Sequence, residues 1–252
     1  MGTKREKGTG VIFEVDPPIA GSYAVDMPRK ARSTVGGYAY HVLNRANRRA
    51  TLFGSEGDYA AFERILADAL HRDTSRLLAY CLMPNHWHLV LCPEGDTAGS
   101  LARLMRGVTM THALRWHAQH GTRGTGHVYQ GRYKSFPVQA DAHLLAVMRY
   151  VERNPLRAGL VARAELWPWS SARRRVTRIA VSGEIPLSQG PVPLPEDWLD
   201  SVNASETLDE LARLRTSVHR GAPLGDREWT RETVVRLGLE HTLRPQGRPP
   251  RA

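Results

Sequence analysis

The stretch that most restricts what this chain can fold into is Tyr80 to Pro93, Tyr-Cys-Leu-Met-Pro-Asn-His-Trp-His-Leu-Val-Leu-Cys-Pro. Two apolar runs of strand length flank Pro84-Asn85. Proline presets a turn backbone and asparagine tolerates the left-handed region, so this dipeptide predicts a tight hairpin. Side chains alternate faces along a strand. His86, His88, Val90 and Cys92 therefore share one face, and Trp87, Leu89 and Leu91 share the other. The second set reads as a core face, which makes Trp87 a packing residue rather than a base-stacking one. The first puts two imidazoles side by side at the mouth of the hairpin, where they can chelate one metal ion. Alone, a His-x-His in a chain with 11 histidines reads more simply as a pair of ordinary surface or core residues.

Charge narrows the choice of partner. The chain carries 35 Lys+Arg against 25 Asp+Glu, a formal net charge of +10, with a pI near 10.1. Such a balance favours polyanions, most simply nucleic acid, because basic contacts release condensed counterions. A charge excess that serves only solubility is the alternative. The two cysteines, Cys81 and Cys92, lie on the two hairpin strands but not opposite one another if the turn is Pro84-Asn85. That spacing makes neither a disulfide framework nor a Cys-x-x-Cys zinc site. A reducing cytoplasm is the natural reading. No apolar run approaches the roughly 18 residues of a spanning helix, and the N-terminus lacks a signal-peptide core, so no membrane partner is expected.

Residues 1–26 show no sustained periodicity and are expected to be a disordered extension, with the functional chain opening at Met27 in Met-Pro-Arg-Lys-Ala-Arg. Gly36-Gly37 then punctuates, and Tyr38 to Leu43 alternates as a first strand. Arg45, Arg48 and Arg49 follow in an expected loop. Asp58 to His71 has the spacing of an amphipathic helix through Phe62, Ile65, Leu66 and Leu70. Leu77 to Met83 and the histidine strand come next. A helix from about Ser100 to His117 follows, with Leu101, Leu104, Met105 and Val108 as its buried stripe. Gly121 to Gly131 reads as a mobile surface loop. Phe136 to Gln139 is a fourth strand at an edge, because Pro137 cannot donate to a ladder. Asp141 caps a helix expected to stop at Arg153, before Pro155. The order strand, helix, strand, strand, helix, strand is the α+β pattern of a ferredoxin-like antiparallel sheet.

On that last helix Tyr150 and Asn154 are four apart and share a face. The bland reading is packing for the tyrosine and a helix stop for the asparagine. Beside a His-x-His hairpin in a basic chain, a phenol nucleophile and an amide oxygen as a third metal ligand become the sharper one. Tyr129 and Tyr133 are rival nucleophiles, but neither has a ligand-like residue four positions on. Arg132, Lys134, Arg149 and Arg153 are candidates for phosphate contacts; a solvated basic face is the alternative.

Several ordered motifs now coincide. His86-Trp87-His88 resembles the His-hydrophobic-His signature of the HUH single-tyrosine transposases. The blocks Gly131-Arg-Tyr-Lys-Ser-Phe-Pro-Val, Tyr150-Val-Glu-Arg-Asn-Pro-Leu-Arg-Ala-Gly-Leu-Val and Trp167-Pro-Trp-Ser-Ser171 are similar to the branch associated with repetitive extragenic palindromes, as are Met27-Pro-Arg-Lys and Asn47-Arg-Arg. The resemblance covers about residues 27 to 172, which implies an HUH catalytic domain over 27–172 and leaves 173–252 as a loop-rich, partly helical basic extension. It implies that His86 and His88 bind a divalent ion, Mg²⁺ or Mn²⁺. It implies that Asn154, standing where many relatives have glutamine, is the third ligand. It implies that Tyr150 forms a 5′-phosphotyrosine link with single-stranded DNA and frees a 3′-hydroxyl. Single-stranded or hairpin DNA is then the partner, a homodimer is an admissible assembly, and no small-molecule cofactor is called for. The place of action would be the cytoplasm, at the nucleoid.

In the extension, Thr207 to His219 and Asp226 to Leu239 read as helices, and Gly183 to Pro195 as loop. The final Gly247-Arg-Pro resembles a minor-groove AT-hook core, against a disordered basic end as the simpler reading. Three other functions stay open at this point. They are a DNA-binding regulator with little catalysis, a hairpin-specific RNA binder, and a metallohydrolase that cuts with bound water and needs no tyrosine.

Overall fold

The computed structural model describes residues 34–95, 99–177 and 185–244. Four strands, β1 (Ala39–Arg45), β2 (Arg76–Met83), β3 (His86–Cys92) and β4 (Lys134–Val138), form one antiparallel sheet in the order β2-β3-β1-β4. The β2–β3 hairpin turns at Pro84-Asn85, with Met83 opposite His86 and Cys81 opposite His88. Cys92 lies opposite Arg76 instead, so both thiols are free and buried. Helix α1 (Glu56–Leu70) joins β1 to β2, and α2 (Ser100–His120) joins β3 to β4. This is the expected α+β, ferredoxin-like arrangement.

Local chemistry explains the helix ends. Ser55 and Asp58 form a capping box at the start of α1, each side chain satisfying a backbone N–H that has no partner inside the helix. Gly121, at φ 63°, closes α2 in the left-handed conformation that glycine adopts without a Cβ clash. The stripe Leu101, Leu104, Met105 and Val108 is buried, and with α1 it covers the sheet face that carries Trp87, Leu89 and Leu91.

The opposite sheet face corrects the simple in–out reading of β3. Val90 and Cys92 are buried as well, against Val147, Met148 and Val151 of α3 (Ala142–Glu152) and against Trp198, Val202 and Leu214 further along the chain. Alternation in β3 therefore sorts side chains between two cores, not between core and water. A strand covered on both faces gains about 1.5–3 kcal/mol from each large apolar side chain on either side, which is why β3 carries so little charge.

Two further expectations change. Helix α3 ends at Glu152 with Arg153 as its cap, at the expected stop, but the chain does not leave the helical region before Pro155: Arg153 stays helical, and a further turn, α4 (Asn154–Arg157), follows. Pro155 sits in its first turn, where the absent N–H would have had no partner. The segment before β4 is not wholly a surface loop either. Val128 and Tyr129 are buried, Tyr129 bridges Ala46, and Gln130 N–H donates to the Arg45 carbonyl.

Beyond α4 the chain covers both exposed edges of the sheet. The N–H of Leu82 in β2 donates to the Trp169 carbonyl, and Ser188 N–H donates to Leu77. On the β4 edge, Leu224 N–H donates to Pro137 and its carbonyl accepts from Gln139 N–H. Covered edges do not recruit other strands. Helices α5 (Ser171–Thr177), α6 (Trp198–Asn203), α7 (Leu208–Arg220) and α8 (Arg227–Leu237) complete the described chain. Thr207 and Asp226 cap α7 and α8. The N-terminal extension, the Met27 segment and the Gly-Arg-Pro end lie outside the described residues. Among the described residues no helix is long and apolar enough to cross a membrane.

Candidate active site

The β1–β3 register sets Leu43 opposite His88 and His41 opposite Val90. His41 is thereby on the same sheet face as His86 and His88, diagonal to the latter. Its ring stacks on His88 with centroids 5.0 Å apart and planes 13° from parallel. His41 Nε2 and His88 Nδ1 are 2.9 Å apart, within one hydrogen bond. His86 meets His88 edge-on, centroids 5.0 Å apart. Its Nδ1 lies 2.6 Å from Asn85 Oδ1 and donates to that amide oxygen, so Nε2 keeps its lone pair.

Burial holds these imidazoles neutral. The pKa of His41 is pushed down to about 3 by loss of solvation. That of His86 is also pushed down to about 3, by burial first and then by the charges of Arg45 and Arg157. His88 is held well below the ordinary histidine range by burial and by its two imidazole neighbours. A neutral ring is the form that binds metal. It also follows that these rings are weak bases.

Helix α3 brings Tyr150 onto this group. Its ring centroid is 6.0 Å from that of His88 and 6.1 Å from that of His41. The residue is 1% exposed. Part of its cover is Arg157, whose guanidinium carbon sits 4.1 Å from the ring centroid and which donates to the Tyr150 carbonyl at 3.3 Å. Asn154, one turn along and buried, donates from Nδ2 to that same carbonyl at 3.4 Å. Tyr150, Asn154 and Arg157 have the i, i+4, i+7 spacing of one helix face.

The tyrosine helix is fixed from its far side. Glu152 is fully buried; its carboxylate accepts from Ser171 Oγ, from Arg175 Nε at 2.9 Å and from Trp198 Nε1 at 2.7 Å. Ser171 Oγ also accepts from the N–H of Tyr80 at 2.9 Å. The Trp167–Ser171 motif is thus a strap that joins α3 to the edge of the sheet, and Trp167 Nε1 extends it by donating to the Leu82 carbonyl at 2.8 Å.

The structure therefore draws together His86, His88 and Tyr150. Asn154 stands one turn from the tyrosine. The rival Tyr129 faces the other core, where its hydroxyl lies 2.7 Å from His112 Nδ1 and accepts from Trp87 Nε1 at 3.1 Å. Burial pushes its phenol pKa up, and Tyr133 is buried in the same core. The four basic candidates divide. Arg149 donates to Glu210 at 2.8 Å, and Arg153 donates to the carbonyls of Asn203 and Val202 at 2.6 and 3.0 Å. Arg132 and Lys134 instead line a cavity that reaches His88.

Sequence reasoning missed His41, Asn85 as an orienting group, and Arg157. Arg157 was visible as the next member of the Tyr150 face. His41 was visible only to someone who already knew how β1 pairs. Among the described residues no group of three His, Cys, Asp or Glu is arranged to hold a metal; His86 and His88 supply two imidazoles, and the Asn154 amide is engaged with the Tyr150 carbonyl.

Residues 34–154 match the family model described as Transposase IS200 like. A REP-associated tyrosine transposase of Escherichia coli (strain K12) is 24% identical over 144 residues, covering 57% of this chain and 81% of that protein. A solved structure of a REP-associated tyrosine transposase bound to a REP hairpin aligns with a TM-score of 0.48 at 16% identity, over 68% of this chain and 95% of that one.

Proposed function

We propose that residues 34–154, which match the family model described as Transposase IS200 like, form a domain of that kind, and that the protein nicks and rejoins single-stranded DNA using Tyr150 as its nucleophile. The observation that carries this reading is the convergence of Tyr150 with the His86–His88 pair across the sheet–α3 interface. The sequence resemblance to the branch associated with repetitive extragenic palindromes, together with a REP-associated relative, is what supports palindromic DNA as the substrate class.

In this reaction Tyr150 Oη attacks the phosphorus of a phosphodiester and the bond from phosphorus to the 3′ oxygen breaks. That oxygen takes up a proton and leaves as a 3′-hydroxyl. The 5′-phosphate stays esterified to the tyrosine until another 3′-hydroxyl attacks it in reverse. Nothing is oxidised or reduced. An ordinary tyrosine is only about 0.1% ionised at neutral pH, so the phenol proton has to leave as the new bond forms. Imidazoles with a pKa of about 3 are poor acceptors for it, which makes His86 and His41 ligand and support rather than general bases. Arg157, over the ring face, stabilises negative charge as it grows on the phenol.

By their chemistry, two neutral imidazoles and an amide oxygen suit a divalent ion. Nε2 of His86 and His88 and Oδ1 of Asn154 would hold it. When bound, it would polarise the scissile phosphate. Two neutral imidazoles suit Mn²⁺ better than Mg²⁺, while the amide oxygen suits both. His41 and Asn85 would orient the two histidine ligands through their Nδ1 atoms, the support that ligating histidines normally have.

A hairpin DNA labelled at its 3′ end, incubated with Mn²⁺ and run on a denaturing gel, tests the reading. A protein-linked band that disappears in Tyr150→Phe and in His88→Ala is the expected result. Cut DNA without the band means a water-driven hydrolase. The almost complete cover over Tyr150 favours one rival, a hairpin-binding regulator, and tight binding with no cutting would establish it.

A further inference from the structure

A cavity of about 280 Å³ opens beside His88, and one of its walls comes from outside the transposase domain. Arg45, Arg132 and Lys134 line it from β1 and the approach to β4, while Arg215 and His219 line it from α7. No acidic residue is among the residues that line it. Arg215 and His219 are four apart, so they stand on one face of α7. Leu214 and Val218, on the neighbouring face, pack into the core. The wall is firmly held: past Gly221 the chain pairs with β4 through Leu224, and Asp226 N–H donates to Gln139 Oε1 at 2.7 Å.

Like charges gathered in a partly enclosed cleft repel one another, and a bound anion relieves that repulsion. Lys134 registers it, its ammonium held below the usual lysine range by burial and then by Arg45. In the neighbouring segment, Glu206 and Glu210 pair with Arg157 and Arg149.

We propose that this cleft binds the phosphodiester backbone of the DNA strand entering the site, and that α7 supplies Arg215 and His219 as substrate-binding residues. The inference rests on the transposase reading and deepens it. It makes the C-terminal extension half of the DNA channel, where the family match assigns it nothing. A single strand suits the cleft better than a duplex, because a strand can thread between α7 and the β1–β4 edge to reach His88. Phosphate contacts of this kind set the salt dependence of binding.

The test uses the full chain and a fluorescein-labelled single-stranded oligonucleotide, with anisotropy followed across a KCl series. Arg215→Gln should weaken binding by about tenfold at low salt and reduce the log–log salt slope by about one. Lys134→Gln should do the same, Arg215→Lys should restore most of the affinity, and Arg231→Gln on exposed α8 should change nothing. Equal melting temperatures exclude misfolding of the glutamine variants. Wild-type affinity and slope in Arg215→Gln, with the covalent adduct still formed, would overturn this proposal and leave the transposase reading intact. Absence of any DNA binding by the wild type would remove both. Inorganic phosphate separates the two sources of phosphate chemistry. Displacement of the oligonucleotide no stronger than KCl of equal ionic strength supports a DNA backbone site; stronger displacement identifies a site for free phosphate and overturns it.

Discussion

His41 is the residue whose role depends most on its neighbours. In the strand Tyr38 to Leu43 it is one more alternating side chain, and nothing local separates it from packing. The β1–β3 register makes it the partner of His88 Nδ1. A His41→Phe variant should keep the fold, since Phe136 and Tyr150 already pack edge-on against that ring. It should lose about 10–100-fold in Mn²⁺ affinity, read by calorimetry, as the loss of an orienting partner usually costs. Unchanged Mn²⁺ binding would show that His88 needs no such support. The same neutral rings predict an acid-sensitive fold. His41 and His86 have folded pKa values of about 3 and buried His112 about 4, all below the ordinary value near 6.5. Between those limits the unfolded chain binds more protons than the folded one, so stability is lost as pH falls from about 6.5 towards 4. Each such histidine steepens the loss by up to about 1.4 kcal/mol per pH unit. Urea midpoints of the metal-free protein at pH 7, 6 and 5 should decline in turn; a flat series would contradict this burial.

At the scale of elements, the hairpin, the edge strand at Pro137 and the capped helices were legible because each depends on residues close in sequence. Pro84-Asn85 fixes the β2–β3 register without help from the rest of the chain. What was not legible depends on long-range partners. Arg149 and Arg153 look like outward basic residues until α7 and the chain before it supply Glu210 and two carbonyls. Glu152 is the clearest case. In sequence it is one acid in Tyr-Val-Glu-Arg-Asn; in the fold it is the buried tie between α3, α5 and α6. Removing it leaves Arg175 largely buried without its carboxylate. Glu152→Ala should therefore cost about 3–5 kcal/mol in a denaturant titration. Glu152→Gln, which keeps the shape and some hydrogen bonds, should cost less. A loss under 1 kcal/mol for the alanine variant would mean the tie is not structural.

For the whole molecule, the family match ends at residue 154 but the core does not. Trp198, Val202, Leu214 and Leu224 pack on the face of the sheet that holds the histidines, and Leu224 lies along the edge strand. A chain cut after Thr177 would expose that face. It should melt well below the full chain and aggregate, and an equal melting temperature would show instead that the residues up to Thr177 stand alone. The same architecture puts a tyrosine from a helix over two histidines from a strand, and it is this tyrosine that we propose attacks DNA. Protease digestion of the covalent DNA complex followed by mass spectrometry locates the linked residue. A nucleotide on Tyr150, in the peptide spanning α3, is the predicted result. An adduct on Tyr129 or Tyr133, or cut DNA with no adduct on any peptide, would contradict it.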